Sequence, residues 1–205
     1  MAKHEPEPGK FCAWADKNEA NRRYHDTEWG VPTHEDQPMF EHLMLECLQC
    51  GLSWDLILQK RDIIRRCFDG FDIDKIAGYG EADVERIVNT EGMIRSPRKV
   101  RAVINNARRS QELRKEIGSF SAYFWAFTGG TTLIYKDHGT HVPASNSLSE
   151  RISKDLKKRG FQYVGPITVY SHLQACGIIN DHDWSCPRFQ SSVGLNPVAL
   201  LAVDQ

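Results

Sequence analysis

Residues 45–54 constrain this chain more than any other stretch: Leu45-Glu46-Cys47-Leu48-Gln49-Cys50-Gly51-Leu52-Ser53-Trp54 reads as an apolar helix that stops at a glycine and restarts behind a serine. Upstream, Phe40, Leu43, Met44, Cys47 and Leu48 fall at i, i+3, i+4, i+7 and i+8, the spacing of a helix that buries one stripe. Gly51 is a natural stop, and Ser53 a natural N-cap for a second helix over residues 54–68. At about 100° per residue, Glu46 lies on the border of the stripe, beside Met39, Leu43 and Cys50. A carboxylate so placed is costly without a cationic or hydrogen-bonding neighbour, so it is either a structural partner or a group that reads a ligand. The corner aims Glu46 and Trp54 at one shared space.

From residue 54 to 111 the pattern is helical throughout. Asp72 caps a short helix ending near Gly78, and Asp83 caps another that carries Val84, Ile87 and Val88. Ser96 then caps, and Pro97 opens, a long helix with Val100, Val103, Ile104 and Ala107 as its buried stripe and Arg95, Arg98, Lys99, Arg101, Arg108 and Arg109 around its other sides. A helix, a loop carrying Gly92 and a second helix with a basic first turn can point backbone N–H groups outward as a phosphate seat; the same pattern also describes a plain two-helix hairpin. Further on, residues 120–127 form a buried aromatic turn, residues 129–141 a loop, and residues 131–135 a short strand. Ser149 caps a helix over 150–159 that Gly160 stops, and Pro166 and Gly177 bracket a helix over 167–175. Residues 189–205 are a tail to which no role is assigned. The fold class is all-α.

A chain of 205 residues with 40% hydrophobic content fills one domain or two small lobes, and no linker separates independent units. No apolar run approaches the roughly 18 residues that span a bilayer, and the acidic start His4-Glu5-Pro6-Glu7-Pro8 is no signal peptide. A cytoplasmic monomer with no membrane partner is expected. The net charge of −1 hides an asymmetry: residues 1–94 hold 11 Lys/Arg against 19 Asp/Glu, residues 95–114 hold 7 against 1, and residues 151–159 hold 5 against 1. Two local basic helices suit a protein that grips a few phosphates, and equally describe two solvated helix faces.

Cysteine and histidine recur at both ends. Cys12 and His25 have twelve residues between them, and His182 and Cys186 have three. Two such half-sites make one closed tetrahedral Cys₂His₂ site for zinc, with no position left open for water; the alternative is a buried cysteine and ordinary surface histidines. If the four residues meet, the metal ties an N-terminal arm to the C-terminal end as a clasp.

Several motifs in order then resemble the DNA-3-methyladenine glycosylase I family of the helix-hairpin-helix superfamily: Cys12-x-Trp14, Tyr24-His25-Asp26-x-Glu28-Trp29-Gly30-x-Pro32, Glu46-x-x-Gln49-x-Gly51-Leu52-Ser53-Trp54, Ser153-Lys154-Asp155-Leu156-Lys157-Lys158-Arg159-Gly160-Phe161, and Asn180-Asp181-His182-x-x-x-Cys186. The resemblance covers residues 11–188. It implies a single glycosylase domain over 1–188 with two helical lobes: one tied at the zinc, the other, residues 35–115, carrying the hairpin. It implies one structural Zn²⁺ on Cys12, His25, His182 and Cys186, a base pocket lined by Trp14, Tyr24, Trp29, Glu46 and Trp54 with Glu46 as the catalytic candidate, and a DNA-backbone anchor at Gly92, Arg95, Arg98 and Lys99. The implied partners are damaged double-stranded DNA and free 3-methyladenine as product.

Three departures bear on this. The superfamily hairpin has two glycines where Gly92-Met93-Ile94 keeps the first, Asn21 stands where some relatives carry an aromatic, and Cys47 and Cys50 replace usual small residues. On the helix stripe both cysteines read as small core residues. Methylation at N3 makes adenine cationic and a good leaving group, so recognition is the main task, and aromatic faces with a carboxylate suit a cation. Nothing suggests a Schiff-base lysine, so a monofunctional enzyme that leaves an abasic site is expected. A helical module that binds damaged bases without cutting is the runner-up, and a zinc hydrolase is disfavoured by four protein ligands.

Overall fold

The computed structural model describes residues 12–136, 138 and 142–201. The chain enters through a 3₁₀ turn (Ala13–Lys17) and a short helix, α1 (Glu19–Thr27), before the helix that the rest surrounds, α2 (Asp36–Gln49). There follow α3 (Trp54–Cys67), a turn at Asp69–Phe71, α4 (Ile73–Ala77), α5 (Glu81–Asn89), the long α6 (Pro97–Ile117) and α7 (Phe120–Ala126). The C-terminal third is β1 (Thr132–Tyr135), α8 (Ser147–Lys158), α9 (Pro166–Ala175), α10 (Pro187–Val193) and β2 (Val198–Leu201). No helix among the described residues is long and apolar enough to cross a membrane.

α2 packs against α3, α6, α7 and α9, so every residue from Met39 to Leu48 is buried, not the single stripe that its spacing predicts. Burial on all sides traps its polar residues as well. Glu41 is answered by Arg61 Nε at 2.9 Å and Arg65 Nε at 2.7 Å, while the Arg61 fork also grips Glu28 at 2.8 and 2.5 Å. The far end of α2 is closed by Lys99, whose ammonium donates to the carbonyls of Leu48 and Cys50 at 2.6 Å each, so carbonyls left over at a helix end find a cation. Gly51 then turns the chain at φ +76°, and Ser53 Oγ accepts from the Leu56 amide at 3.2 Å to start α3.

Local chemistry sets the other helix starts. Asp72 accepts from the amides of Asp74 and Lys75, and Ser96 from that of Lys99 ahead of Pro97. Two expected caps sit one turn away from where their residues suggest. α5 begins after Gly80, and Asp83 reaches back to the Gly80 amide from inside the helix at 3.0 Å; α8 begins after Asn146, whose Oδ1 accepts from the Ser149 amide while Ser149 Oγ receives the Asn146 amide. The aromatic segment is a true helix, α7, capped by Ser119.

The chain is mostly helical, as expected, and the short strand expected at 131–135 forms half of one small two-stranded sheet. β1 pairs in parallel with β2, Thr132 opposite Val198 through Tyr135 opposite Leu201, and Leu133 bridges to Ile179. The tail is thus part of the body: residues 187–201 add α10 and a strand. The expected loop over 129–141 keeps its strand at 132–135, and its positions 137 and 139–141 lie outside the described residues.

Candidate functional site

A cleft of about 560 Å³ opens between the N-terminal segment, α1, the α2–α3 corner and α9. Trp14, Tyr24, Trp29, Glu46 and Trp54 all line it, together with Gln49, Ser171, Gln174, Asp181 and the backbone around Cys12. The aromatic rings run in sequence: Trp29 to Trp14 at 5.0 Å between centroids, Trp14 to Tyr24 at 6.2 Å, and Tyr24 to Trp54 at 5.1 Å. Tilts of 53–79° between neighbours show that the rings are not stacked on one another. Asn21 is not part of this wall. It is buried, and it donates to Asn18 and to Asp55 at 3.0 Å each, tying α1 to the first turn of α3 and so fixing Trp54.

Some polar groups of the cleft are unsatisfied. Glu46 is 6% exposed, and burial pushes its carboxyl up to about 8, with no cation among the described residues to offset it. The Tyr24 hydroxyl and the Trp54 indole N–H are buried and have no hydrogen-bond partner among the described residues. Native interiors rarely leave such groups orphaned, and three of them around one concave aromatic space mark a ligand site. Among the described residues, no lysine lines the cleft. Cys47 points elsewhere, toward the carbonyls of Gln162 and Tyr163, and Cys50 packs against Thr168.

Behind the aromatic wall, Cys12, His25, His182 and Cys186 come together, buried, with their ligand atoms within 4.8 Å of one another. His25 Nε2 lies 3.2 Å from His182 Nδ1 and 3.5 Å from Cys186 Sγ, and Cys12 Sγ lies 3.6 Å from His182 Nδ1. A tetrahedral ion with nitrogen at about 2.0 Å and sulfur at about 2.3 Å sets its ligands about 3.3–3.8 Å apart, so the donor set fits a metal. The surroundings fit too. His25 Nδ1 is held by Asp26 at 2.8 Å and His182 Nε2 by the Trp29 carbonyl at 3.1 Å, which turns the other nitrogen of each ring inward. Amides of Asp183 and Arg188 donate to the sulfurs of Cys12 and Cys186 at 3.3 and 3.4 Å. Burial and the adjacent His25 hold His182 down at about 4, the neutral form that a ligand needs. The cluster abuts the cleft: Trp29 lies 4.5 Å from the His182 ring, Trp14 5.3 Å from that of His25, and Cys12 lines the cleft itself.

Next to the α2–α3 corner, Gly92 turns the α5–α6 loop at φ +80°, and the Lys60 ammonium of α3 holds its carbonyl. Much of the basic charge of α6 is paired with this chain's own groups at the surface: Arg101 pairs with Glu81, Arg109 with Glu112, Arg114 with Asp74, and Arg108 donates to the carbonyls of Ala77 and Tyr79. Of the four expected anchor residues, Gly92, Arg95 and Arg98 are exposed, and Arg98 also donates to the Tyr163 hydroxyl at 2.6 Å. Lys99 is half-buried and engaged as the α2 cap.

Sequence reasoning missed Ser171, Gln174 and Asp181 as lining. The first two are polar residues three apart on a helix, a pattern that an ordinary solvated face shares.

The helices, the aromatic cleft with a buried carboxyl and the buried Cys/His cluster define a mostly helical protein with one candidate ligand site and one candidate metal site among its described residues. The methyladenine glycosylase family model matches residues 14–189. DNA-3-methyladenine glycosylase 1 of Escherichia coli is 41% identical over 182 residues, covering 85% of this chain and 94% of that protein. The DNA-3-methyladenine glycosylase of Haemophilus influenzae is 35% identical, covering 86% and 96%. Among solved structures, a 3-methyladenine DNA glycosylase I superposes with a TM-score of 0.81 at 40% identity over 87% of this chain and 98% of that one. A second, solved in complex with 3-methyladenine, gives 0.81 at 30% identity over 86% and 95%. The chain belongs to the methyladenine glycosylase family.

Proposed function

We propose that this protein is a base-excision repair enzyme that hydrolyses the N-glycosidic bond of 3-methyladenine in alkylated double-stranded DNA, releasing the free base and leaving an abasic site. The observation that carries the reading is the buried, unpaired Glu46 beside orphaned Tyr24 and Trp54 groups in an aromatic cleft. A nucleobase inside a duplex cannot reach such a cleft, so the nucleotide must be extruded into it.

The 3-methylated adenine nucleotide is a cation. Glu46, with its proton retained up to about pH 8 on its own, gains a counter-charge when the cation stands beside it, gives its proton to solvent and accepts from the amino edge of the base. The indoles of Trp14 and Trp54 and the Tyr24 ring face the positive ring through their quadrupoles. Neutral adenine offers neither attraction. The glycosidic electrons leave with the already cationic base, so no acid is needed at the leaving group, and water adds at the sugar carbon with its spare proton lost to solvent.

Cys12, His25, His182 and Cys186 would hold one zinc ion, which supplies a cross-link and, with four protein ligands, no open coordination position. Gly92, Arg95 and Arg98 at the start of α6 would meet the DNA backbone as the hairpin anchor. The reading takes the protein to act as a monomer in the cytoplasm, on DNA.

The test is release of free base from alkylated duplex DNA by wild type and Glu46→Gln, with zinc measured in both. Loss of one charge-assisted hydrogen bond, about 1.5–3 kcal/mol, should cut release of 3-methyladenine ten- to hundredfold while binding of undamaged DNA stays the same. Wild-type protein that binds alkylated DNA and frees no base would be a binding module instead.

A further inference from the structure

One wall of the cleft is α9, which presents Ser171 and Gln174 to it one turn apart. α9 runs antiparallel to α2. Cys50, after the end of α2, touches Thr168 in the first turn of α9 with Sγ and Oγ1 3.6 Å apart, and Glu46 lies close enough to Cys176, just past the end of α9, to help raise its thiol. Ser171 and Gln174 thus stand level with Glu46 across the same space.

The Gln174 amide cannot choose which end meets a ligand. Its backbone is pinned, its carbonyl accepting from the amides of Gly30 and Gly177 at 3.1 Å each. Its Nε2 donates to Asp181 Oδ2 at 2.8 Å. That oxygen also accepts from the Tyr170 hydroxyl at 2.5 Å, and Oδ1 lies 2.7 Å from His138 Nδ1. The Asp181 side chain is wholly shielded from solvent, so a reversed amide would press carbonyl against carboxylate with no water to relieve the repulsion. The nitrogen end is locked away from the cleft, and Oε1, with no partner among the described residues, is left to face it.

We propose that Gln174 is a specificity-determining residue: its carbonyl, held in place by Asp181, favours a purine with an amino group at C6 and rejects one with a carbonyl there. The inference rests on the cleft being the base site. A fixed acceptor pairs with an amino N–H, whereas facing a 6-oxo group it leaves two buried acceptors unpaired, a heavier penalty than a missing bond. Glu46 answers the positive charge, which both 3-methylated purines carry in DNA, so charge alone does not separate them.

The experiment treats duplex DNA with dimethyl sulfate and quantifies released 3-methyladenine and 3-methylguanine in one reaction, for wild type, Gln174→Met, Asp181→Asn and Trp54→Ala. Gln174→Met removes the acceptor at nearly constant shape, and Asp181→Asn lets the amide turn round. Either should lower the 3-methyladenine to 3-methylguanine ratio by roughly tenfold, the worth of about one hydrogen bond, at wild-type metal content. A purely structural role would slow both bases alike and leave the ratio unchanged, which overturns the proposal. If Trp54→Ala abolishes release of both bases, the base site stands whatever Gln174 does. If Trp54→Ala and Gln174→Met both release the two bases as wild type does, the cleft is not the base site and both readings fall.

Discussion

Glu46 shows what a binding group does to the stability of its own fold. Its folded value near 8 stands above the ordinary 4.5, so between those limits the unfolded chain has lost a proton that the folded chain keeps. Deprotonation therefore favours unfolding, and stability falls by about 1.4 kcal/mol per pH unit across that window. Below pH 4.5 there is no penalty, and above about 8 it is complete and constant. At pH 7 it amounts to roughly 3 kcal/mol. Glu46→Gln, which cannot ionise, should then be more stable than wild type at pH 7 by an amount of that order, with the difference vanishing near pH 4.5. Urea unfolding of both proteins at pH 5, 6 and 7.5 checks it; a difference that does not grow with pH would mean that the carboxyl has a partner in solution. The residue type and helix position of Glu46 were legible from spacing, but its two possible roles were not, since spacing says nothing about whether a cation waits opposite.

At the scale of elements, the α5–α6 hairpin separates charges that look alike in sequence. Arg98 lies exposed at the start of α6, while Lys99 is turned onto the carbonyls of Leu48 and Cys50. Arg98→Ala should weaken binding to any duplex and flatten the slope of log K against log salt by about one unit if it meets one phosphate. Lys99→Ala should leave that slope alone and lower stability by about 1–3 kcal/mol, because it strips the cation from two helix-end carbonyls. A flattened slope in Lys99→Ala at unchanged melting temperature would reverse the assignment. Caps at Ser53, Asp72 and Ser96 could be placed from sequence because each is a contact between residues two or three apart. Asp83 and Ser149 were misplaced by a turn for a related reason: both belong to reciprocal pairs, with Gly80 and Asn146, and the letters do not say which member stands outside the helix.

Across the whole molecule, the Cys/His cluster joins segments 170 residues apart and holds the aromatic wall of the cleft in the same act. Gly30 is its tightest neighbour. A Cβ there would stand 2.7 Å from His182 Nε2, on a backbone at φ +78° that side chains rarely adopt. Gly30→Ala should push the ring off the Trp29 carbonyl and lower metal content, melting temperature and base release together, as Cys186→Ser should by removing a ligand outright. Elemental analysis beside a thermal melt decides it; Gly30→Ala with full metal and an unchanged melt would show that the ring has room the structure denies it.

By itself the sequence determined the helices α2 to α6, α8 and α9, most of their caps, the family through the order of its motifs and, through that resemblance, the four residues that come together in the Cys/His cluster. It also named the aromatic and acidic side chains that line the cleft. Tertiary structure alone decided that α2 is buried on every side, that the tail returns as a parallel strand, that most α6 arginines pair with this chain's own groups, and that Asp181 dictates the orientation of Gln174. The division has a physical cause. Capping and periodicity act over three or four residues and are written in adjacent letters, whereas burial, ion pairing and amide orientation depend on which surfaces meet after the chain has closed. A lysine at a helix start is the same letter whether it faces a phosphate or, as Lys99 does, a carbonyl 51 residues away.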